Sequence, residues 1–230
     1  MKLLAIETSG LVGSIAYCQD GRLREEKVLT AAGRRHAQTL VQEVSDLLSR
    51  HQLNPSDVDA VAVSAGPGSF TGLRVGIVFA KTFAWANSAV LTAVDTHQAA
   101  AEQLTDVPQT STIRVISDAQ RNEVFVSDYR RLNEAKRSTL MSPLRIEPIA
   151  QIAAASDRDC PELIVTGPGL AKFADHFSDF TKRAEDSLWS PRAGAVALIG
   201  YQQVLDGNPA DVDLLEPIYV RRSYAEEKRV

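Results

Sequence analysis

The sequence predicts an α/β protein built as two similar lobes with mixed sheets, and three observations carry that reading. An apolar strand ending in an acidic residue opens each half: KLLAI runs into Glu7, and IRVIS runs into Asp118. A strand that breaks into Gly-Pro-Gly and then a helix also occurs in each half, at Gly66 and at Gly167. The two features keep their order and similar offsets, 111 residues from Glu7 to Asp118 and 101 from Gly66 to Gly167. Such self-similarity predicts an internal duplication with a unit of roughly 100 residues. Each unit begins with a hairpin, so its sheet is mixed, and the lobes face each other across a cleft. The expected division is 1–108 and 109–230, with the C-terminal tail packing back on the first lobe.

Each element follows from local pattern. Residues 2–6 form a buried-strand run, and GSIAYCQDGRLREEKVL reads as a hairpin turning at Asp20-Gly21. After Gly33 the period changes: Ala37, Leu40, Val41, Val44, Leu47 and Leu48 recur at three and four, which predicts an amphipathic helix over 34–51. Asn54-Pro55-Ser56 ends it. VDAVAVSAG is a buried strand running straight into a glycine cluster; a helix over 70–86, a strand over 89–94 and a helix near 97–104 follow. IRVISDAQRNEVFVSDY then repeats strand, tight turn and strand, and LIVTGPGLAKF repeats strand, Gly-Pro-Gly and helix. Two such lobes across a cleft are the plan of the actin, hexokinase and Hsp70 ATPase fold.

Composition narrows the function. A chain of 230 residues, 44% hydrophobic and 23% charged, is an ordinary globular balance. Its net charge of −4 argues against the whole surface attracting nucleic acid. Cys18 and Cys160 lie far apart, which fits a reducing cytosol better than a disulfide framework. Glu7 falls too early for a signal-peptide apolar region, and no apolar run approaches a membrane span. The expectation is a cytoplasmic protein with no membrane contact.

The stretch GPGSFTGLRVG, 66–76, invites three chemical templates and fits none. A P-loop needs Gly-Lys-Ser/Thr, but Leu73 and Arg74 follow Gly72. In the dinucleotide fingerprint Thr71 stands where the third glycine belongs, and in the nucleophile elbow Pro67 stands where glycine should precede Ser69. What survives is a helix N-terminus with Ser69 or Thr71 able to cap and Arg74 in the first turn, an end that favours an anion. Equally, the glycines serve close packing. Glu7 and Asp118, at matching strand ends, are candidates to hold Mg²⁺ through water, or else to satisfy turn amides. The histidines at 36, 51, 97 and 176 have no partner at four-residue spacing, so no metal site is expected. Arg34, Arg35 and His36 form a basic cluster at a helix start, and the tail RRSYAEEKRV is the other basic segment.

Five segments taken together, LLAIETS, RRHAQTL, GPGSFTGLRVG, DAQRNEVF and EPIYVR, resemble the TsaB (YeaZ) family along nearly the whole chain, least over 131–160. The resemblance implies the two-lobed actin-like fold and a part in making threonylcarbamoyladenosine, the modification beside the anticodon at position 37 of tRNAs reading codons that begin with A. It implies a scaffold with no catalytic residues of its own, working with the larger paralogue TsaD and with TsaE, homodimeric when alone and meeting tRNA only through the complex. The residues agree with that division: Leu11 and Val12 stand where TsaD carries an acidic pair, and Ala101 stands where its second histidine ligand would be, four residues after His97. Glu7, Ser9, Gly66, Gly68, Ser69, Thr71 and Asp118 are then a vestigial nucleotide cleft, with no tightly bound cofactor and at most weak nucleotide or Mg²⁺ binding there or at the complex interface.

The helix at 70–86 is apolar nearly all round, which predicts burial on two sides, one by its own sheet and one by a partner. The expected partner surface comprises His36, Leu40, Val44 and Leu47 on the first helix and Val75, Val78, Phe79 and Thr82 on the second. On the residues alone a self-sufficient ATPase, phosphotransferase or metallopeptidase-like enzyme of the same fold is the competing reading, and a direct tRNA binder is a third.

Overall fold

A computed structural model describes residues 1–29, 36–108, 110–131, 138–159 and 162–218, with the side chains of 36–38 and 159 outside that description. Strand β1 (Lys2–Glu7) is covered on both faces, as its unbroken apolar run requires. Next to it β2 (Ser14–Gln19) and β3 (Arg22–Val28) form an antiparallel hairpin that pairs Gln19 with Arg22. Asp20 and Gly21 turn it at φ 52° and 73°, the two left-handed residues such a hairpin needs. On the other side β4 (Ala60–Gly66) and β5 (Val90–Asp95) run parallel to β1, giving the order β3-β2-β1-β4-β5.

The second sheet repeats this plan. Strands β6 (Thr112–Asp118), β7 (Glu123–Arg131) and β8 (Ser138–Pro148) are antiparallel neighbours, while β9 (Leu163–Thr166) and β10 (Lys182–Arg183) run parallel on the far side of β6. The order β10-β9-β6-β7-β8 is the first sheet's order repeated strand for strand. Glu7 and Asp118 end the equivalent first strands. Gly66 ends and Gly167 directly follows the equivalent fourth strands, with φ of 121° and 107°, a region open to glycine. The duplication read from the sequence is therefore a duplication of fold.

Helices fill the layers between and outside the sheets. Leu4 and Ile6 of β1 meet Leu40, Val44 and Leu47 of α1 (His36–Arg50) and Ile77 and Ala80 of α2 (Phe70–Asn87). Leu3 and Ala5, on the opposite face, meet Ala99 of α3 (Thr96–Glu102) and Val196 and Ala197 of α6 (Ala193–Leu205). In the second lobe Ile116, Val124 and Val126 pack under α4 (Ile149–Asp159) and α5 (Leu170–Phe173), and the other face packs on α3.

Helix α6 comes from the chain's last quarter yet lies on the first sheet. Ala193 N–H donates to Ser14 Oγ at 2.8 Å and Gly194 N–H to Glu26 Oε1 at 2.6 Å, which holds its start on the hairpin. Gly200 lets it cross closely, because a Cβ there would stand 2.4 Å from Ala62 Cβ. The segment after it stays with the same lobe: Ala210 N–H donates to the Leu91 carbonyl and Ile218 N–H to the Ala65 carbonyl, both at 2.7 Å. Lys81 Nζ donates to the carbonyls of Asp213 and Leu215.

Helix α3 joins the lobes. His97 is buried, with Nδ1 2.6 Å from Ser127 Oγ and Nε2 2.7 Å from Ser117 Oγ, both on the second sheet. Burial pushes its imidazole down to about 3, so the ring is neutral and holds one serine as donor and the other as acceptor. Tyr129 donates to Asp95 Oδ1 at 3.1 Å, and Gln103 Nε2 donates to the carbonyls of Leu188 and Ser190.

Candidate functional site: the glycine loop and the helix it starts

The loop 66–69 ties the first helix-bearing unit to the Glu7-Thr8-Ser9 turn. Ser69 N–H donates to the Ser9 carbonyl at 2.7 Å, and Thr8 Oγ1 donates to the Gly72 carbonyl at 2.8 Å. Ser69, not Thr71, caps α2, its Oγ accepting from Gly72 N–H at 3.3 Å. The glycines make this approach possible. A Cβ on Gly68 would stand 2.7 Å from the Ser9 carbonyl oxygen, on Gly72 2.0 Å from the Thr8 carbonyl oxygen, and on Gly76 2.3 Å from Thr8 Oγ1. Gly66, at the far end, lies under Ile218. These contacts press the loop and the first turns of α2 against the chain's own 7–9 turn, while Gly68, Ser69, Phe70 and Thr71 stay exposed at the helix start.

Glu7 sits beneath that turn, fully buried. Its Oε1 accepts from the Ser9 amide and the Ser9 hydroxyl, both at 2.5 Å. Oε2 has no hydrogen bond of good geometry among the described residues, although the nearby Ser64 hydroxyl also favours the charged form. Desolvation outweighs these contacts and raises the carboxyl to about 7. Asp118 is differently placed: it accepts from Gln120 N–H at 2.8 Å and pairs with Lys172 Nζ at 2.9 Å. Its turn runs through Gln120, Arg121 and Asn122, all left-handed and none a glycine. Both carboxylates thus serve turns of their own lobes. No group of three or more metal-ligating side chains occurs among the described residues. His97 and Ala101, which correspond to a metal pair in TsaD by resemblance, lie in the packing between lobes.

The structure divides the expected partner surface. Leu40, Val44 and Leu47 belong to the core of the first lobe, so they cannot meet a partner directly. They are inward because the sheet takes the i, i+4, i+7 stripe of α1. His36 lies outside the described side chains, as do Arg34, Arg35 and the basic tail. On α2, Val75 and Phe79 are half-buried against the same core, while Val78 is 63% exposed and Thr82 also faces solvent. Trp85, 78% exposed, continues that line one turn on, and Val41 on the neighbouring α1 is 64% exposed. Phe70 is exposed at the helix start, with the Arg74 guanidinium 3.8 Å over its ring. Val41 and Trp85 were not separable from core positions in the sequence, since both fall within broad apolar arcs.

Two like sheets, each in the order third-second-first-fourth-fifth with an acid ending the first strand, define an actin-like protein of two lobes. A family model for "TsaD: tRNA N6-adenosine threonylcarbamoyltransferase" matches residues 28–161. The tRNA threonylcarbamoyladenosine biosynthesis protein TsaB of Escherichia coli is 26% identical over 99% of this chain and 98% of its own. The TsaB of Bacillus subtilis is 27% identical over 99% and 97%. The solved structure of YeaZ from Pseudomonas aeruginosa superposes with a TM-score of 0.79 at 25% identity, covering 95% of this chain and 99% of that one. The chain belongs to the TsaD family that the model describes and, within it, to the TsaB (YeaZ) family.

Proposed function

We propose that this chain is a scaffold subunit in the synthesis of threonylcarbamoyladenosine at position 37 of tRNA, acting by pairing with TsaD rather than by catalysis. The observation that carries the reading is the exposed apolar line on α2, Val78 and Trp85, together with the exposed Val41 of the neighbouring α1. A helix covered on one side by its own sheet and apolar on the other is a docking surface in search of a second protein. TsaD is the occupant that the TsaB names of the full-length relatives favour. A second copy of the chain would use the same surface when TsaD is absent, and TsaE would join the assembled pair. Tight nucleotide binding is not expected, because Glu7 and Asp118 are committed to their own turns.

Val78→Arg tests this. Its side chain is outside the core, so the fold is preserved, whereas a charge carried into a contact costs several kcal/mol of desolvation. The variant should run as a folded monomer in size-exclusion chromatography and fail to co-purify with TsaD. Reconstituted tRNA modification should fall with it, by tenfold or more at about 1.4 kcal/mol per decade. A Val78→Arg protein that still pairs with TsaD and supports full modification places the contact elsewhere. ATP turnover by the purified wild-type chain that is lost in Asp118→Ala would overturn the scaffold reading itself.

A further inference from the structure

A groove on the outer side of the second lobe belongs to none of these contacts. It lies between the edge strand β8 and helix α4, opens to solvent with a volume of about 580 Å³, and is lined by Arg114, Arg145 and Arg158 with Ala150, Ala154 and Ala155 on the helix side. That volume falls in the range of small-molecule sites, roughly 300–1,000 Å³. The alanines leave the space open, and the arginines give it a sign.

Arg114 is more than nine-tenths buried and is fixed in place: Nε donates to Asp128 Oδ1 at 2.7 Å and Nη1 to Ser156 Oγ at 3.1 Å. Arg145 donates through Nη2 to the same carboxylate at 3.2 Å and through Nη1 to Ser142 Oγ at 2.9 Å, with Glu147 3.3 Å from its Nε. Arg158, exposed on the last turn of α4, donates through Nε to the Ala154 carbonyl at 3.0 Å. Arg114 and Arg145 are thus held by Asp128 and Glu147, while Arg158 makes no ion pair among the described residues and brings one positive charge to the groove beside its apolar wall.

We propose that this groove binds a small organic carboxylate, a single anionic group on an apolar body. The guanidinium fork matches a carboxylate in geometry. One unit of excess charge is neutralised by a monoanion, whereas a polyphosphate or an RNA backbone would bring more negative charge than the groove offsets.

Calorimetric titration of the full chain with benzoate, its neutral isostere benzamide, inorganic phosphate and a short RNA tests the assignment. Benzoate should bind saturably and benzamide should not, with phosphate weaker than benzoate and RNA not competing. Arg158→Ala should weaken benzoate about tenfold, the effect of one charged hydrogen bond. Ala154→Leu, an exposed position whose larger side chain fills the groove, should abolish saturation while leaving thermal stability near that of the wild type. The proposal is overturned if benzoate does not saturate, if benzamide binds as well, if neither variant changes the titration, or if phosphate or RNA is preferred.

Discussion

Burial shifts the ionisation of Glu7 and His97 in opposite senses. The Glu7 carboxyl is raised from 4.5 to about 7, so the folded chain holds a proton there that the unfolded chain has lost between those values. Stability from this group is present at acid pH and falls as pH rises through the window, by roughly 3 kcal/mol in all. His97 is lowered from 6.5 to about 3, so the unfolded chain takes up the proton first and stability falls as pH drops below 6.5. Between 4.5 and 6.5 the two slopes oppose each other. Glu7→Gln separates them: it keeps an acceptor for Ser9 and places a donor where Oε2 has none. Relative to wild type the variant should gain about 2–3 kcal/mol at pH 8 and close to nothing at pH 4.5. Urea unfolding across that range measures the difference, and parallel curves would show that Glu7 is not the titrating group.

At the scale of the element, α2 is placed by contacts that its glycines permit rather than by its own hydrophobic stripe alone. Gly72→Ala should improve intrinsic helix propensity by about 1 kcal/mol, yet the new methyl would lie 2.0 Å from the Thr8 carbonyl oxygen. Backbone on both sides cannot yield cheaply, so the expected net effect is a loss of about 2 kcal/mol or more. Gly10→Ala, whose new methyl would lie 3.8 Å from the Val12 carbonyl oxygen, should stay within about 0.5 kcal/mol. Thermal unfolding of the pair decides the matter; equal behaviour would mean that the Thr8 turn moves freely. The sequence made the need for close approach at these glycines legible, through their number and their place between strand and helix. What they approach was not legible, because Thr8 is 64 residues away from Gly72 in the chain. For α1 the period was right and the direction wrong: Leu40, Val44 and Leu47 turn inward, and Val41, read with them as one stripe, is left outside.

At the scale of the molecule, order along the chain and order in space part company after β10. The first sheet shows a second apolar face, Leu3, Ala5, Ala16, Ala60 and Ala62, and its cover is Ala193, Val196 and Ala197 of α6. Sequence pattern did not reveal this helix, since AGAVALIGYQQVL has no continuous polar face and its small residues break the expected period. Helix α4 and strand β8 fell where the family resemblance was least. The repeated strand–acid and Gly-Pro-Gly features, by contrast, sit at equivalent points of both sheets and were enough to give the duplication. A lobe cut out as residues 1–108 would expose that second face of the first sheet to water, at about 25 cal/mol for each Å² uncovered. It would also leave Ser14, Glu26 and the β5 edge without the amides of Ala193, Gly194 and Ala210. We therefore expect residues 1–108 alone to give no folded monomer, and residues 190–218 supplied in trans or through a flexible linker to restore one. The full chain should unfold in a single transition by calorimetry and by Trp fluorescence, because α3 and α6 join the two sheets through one continuous layer. A stable, well-dispersed 1–108 fragment, or two separate transitions, would show that the first lobe is complete without its returning helix.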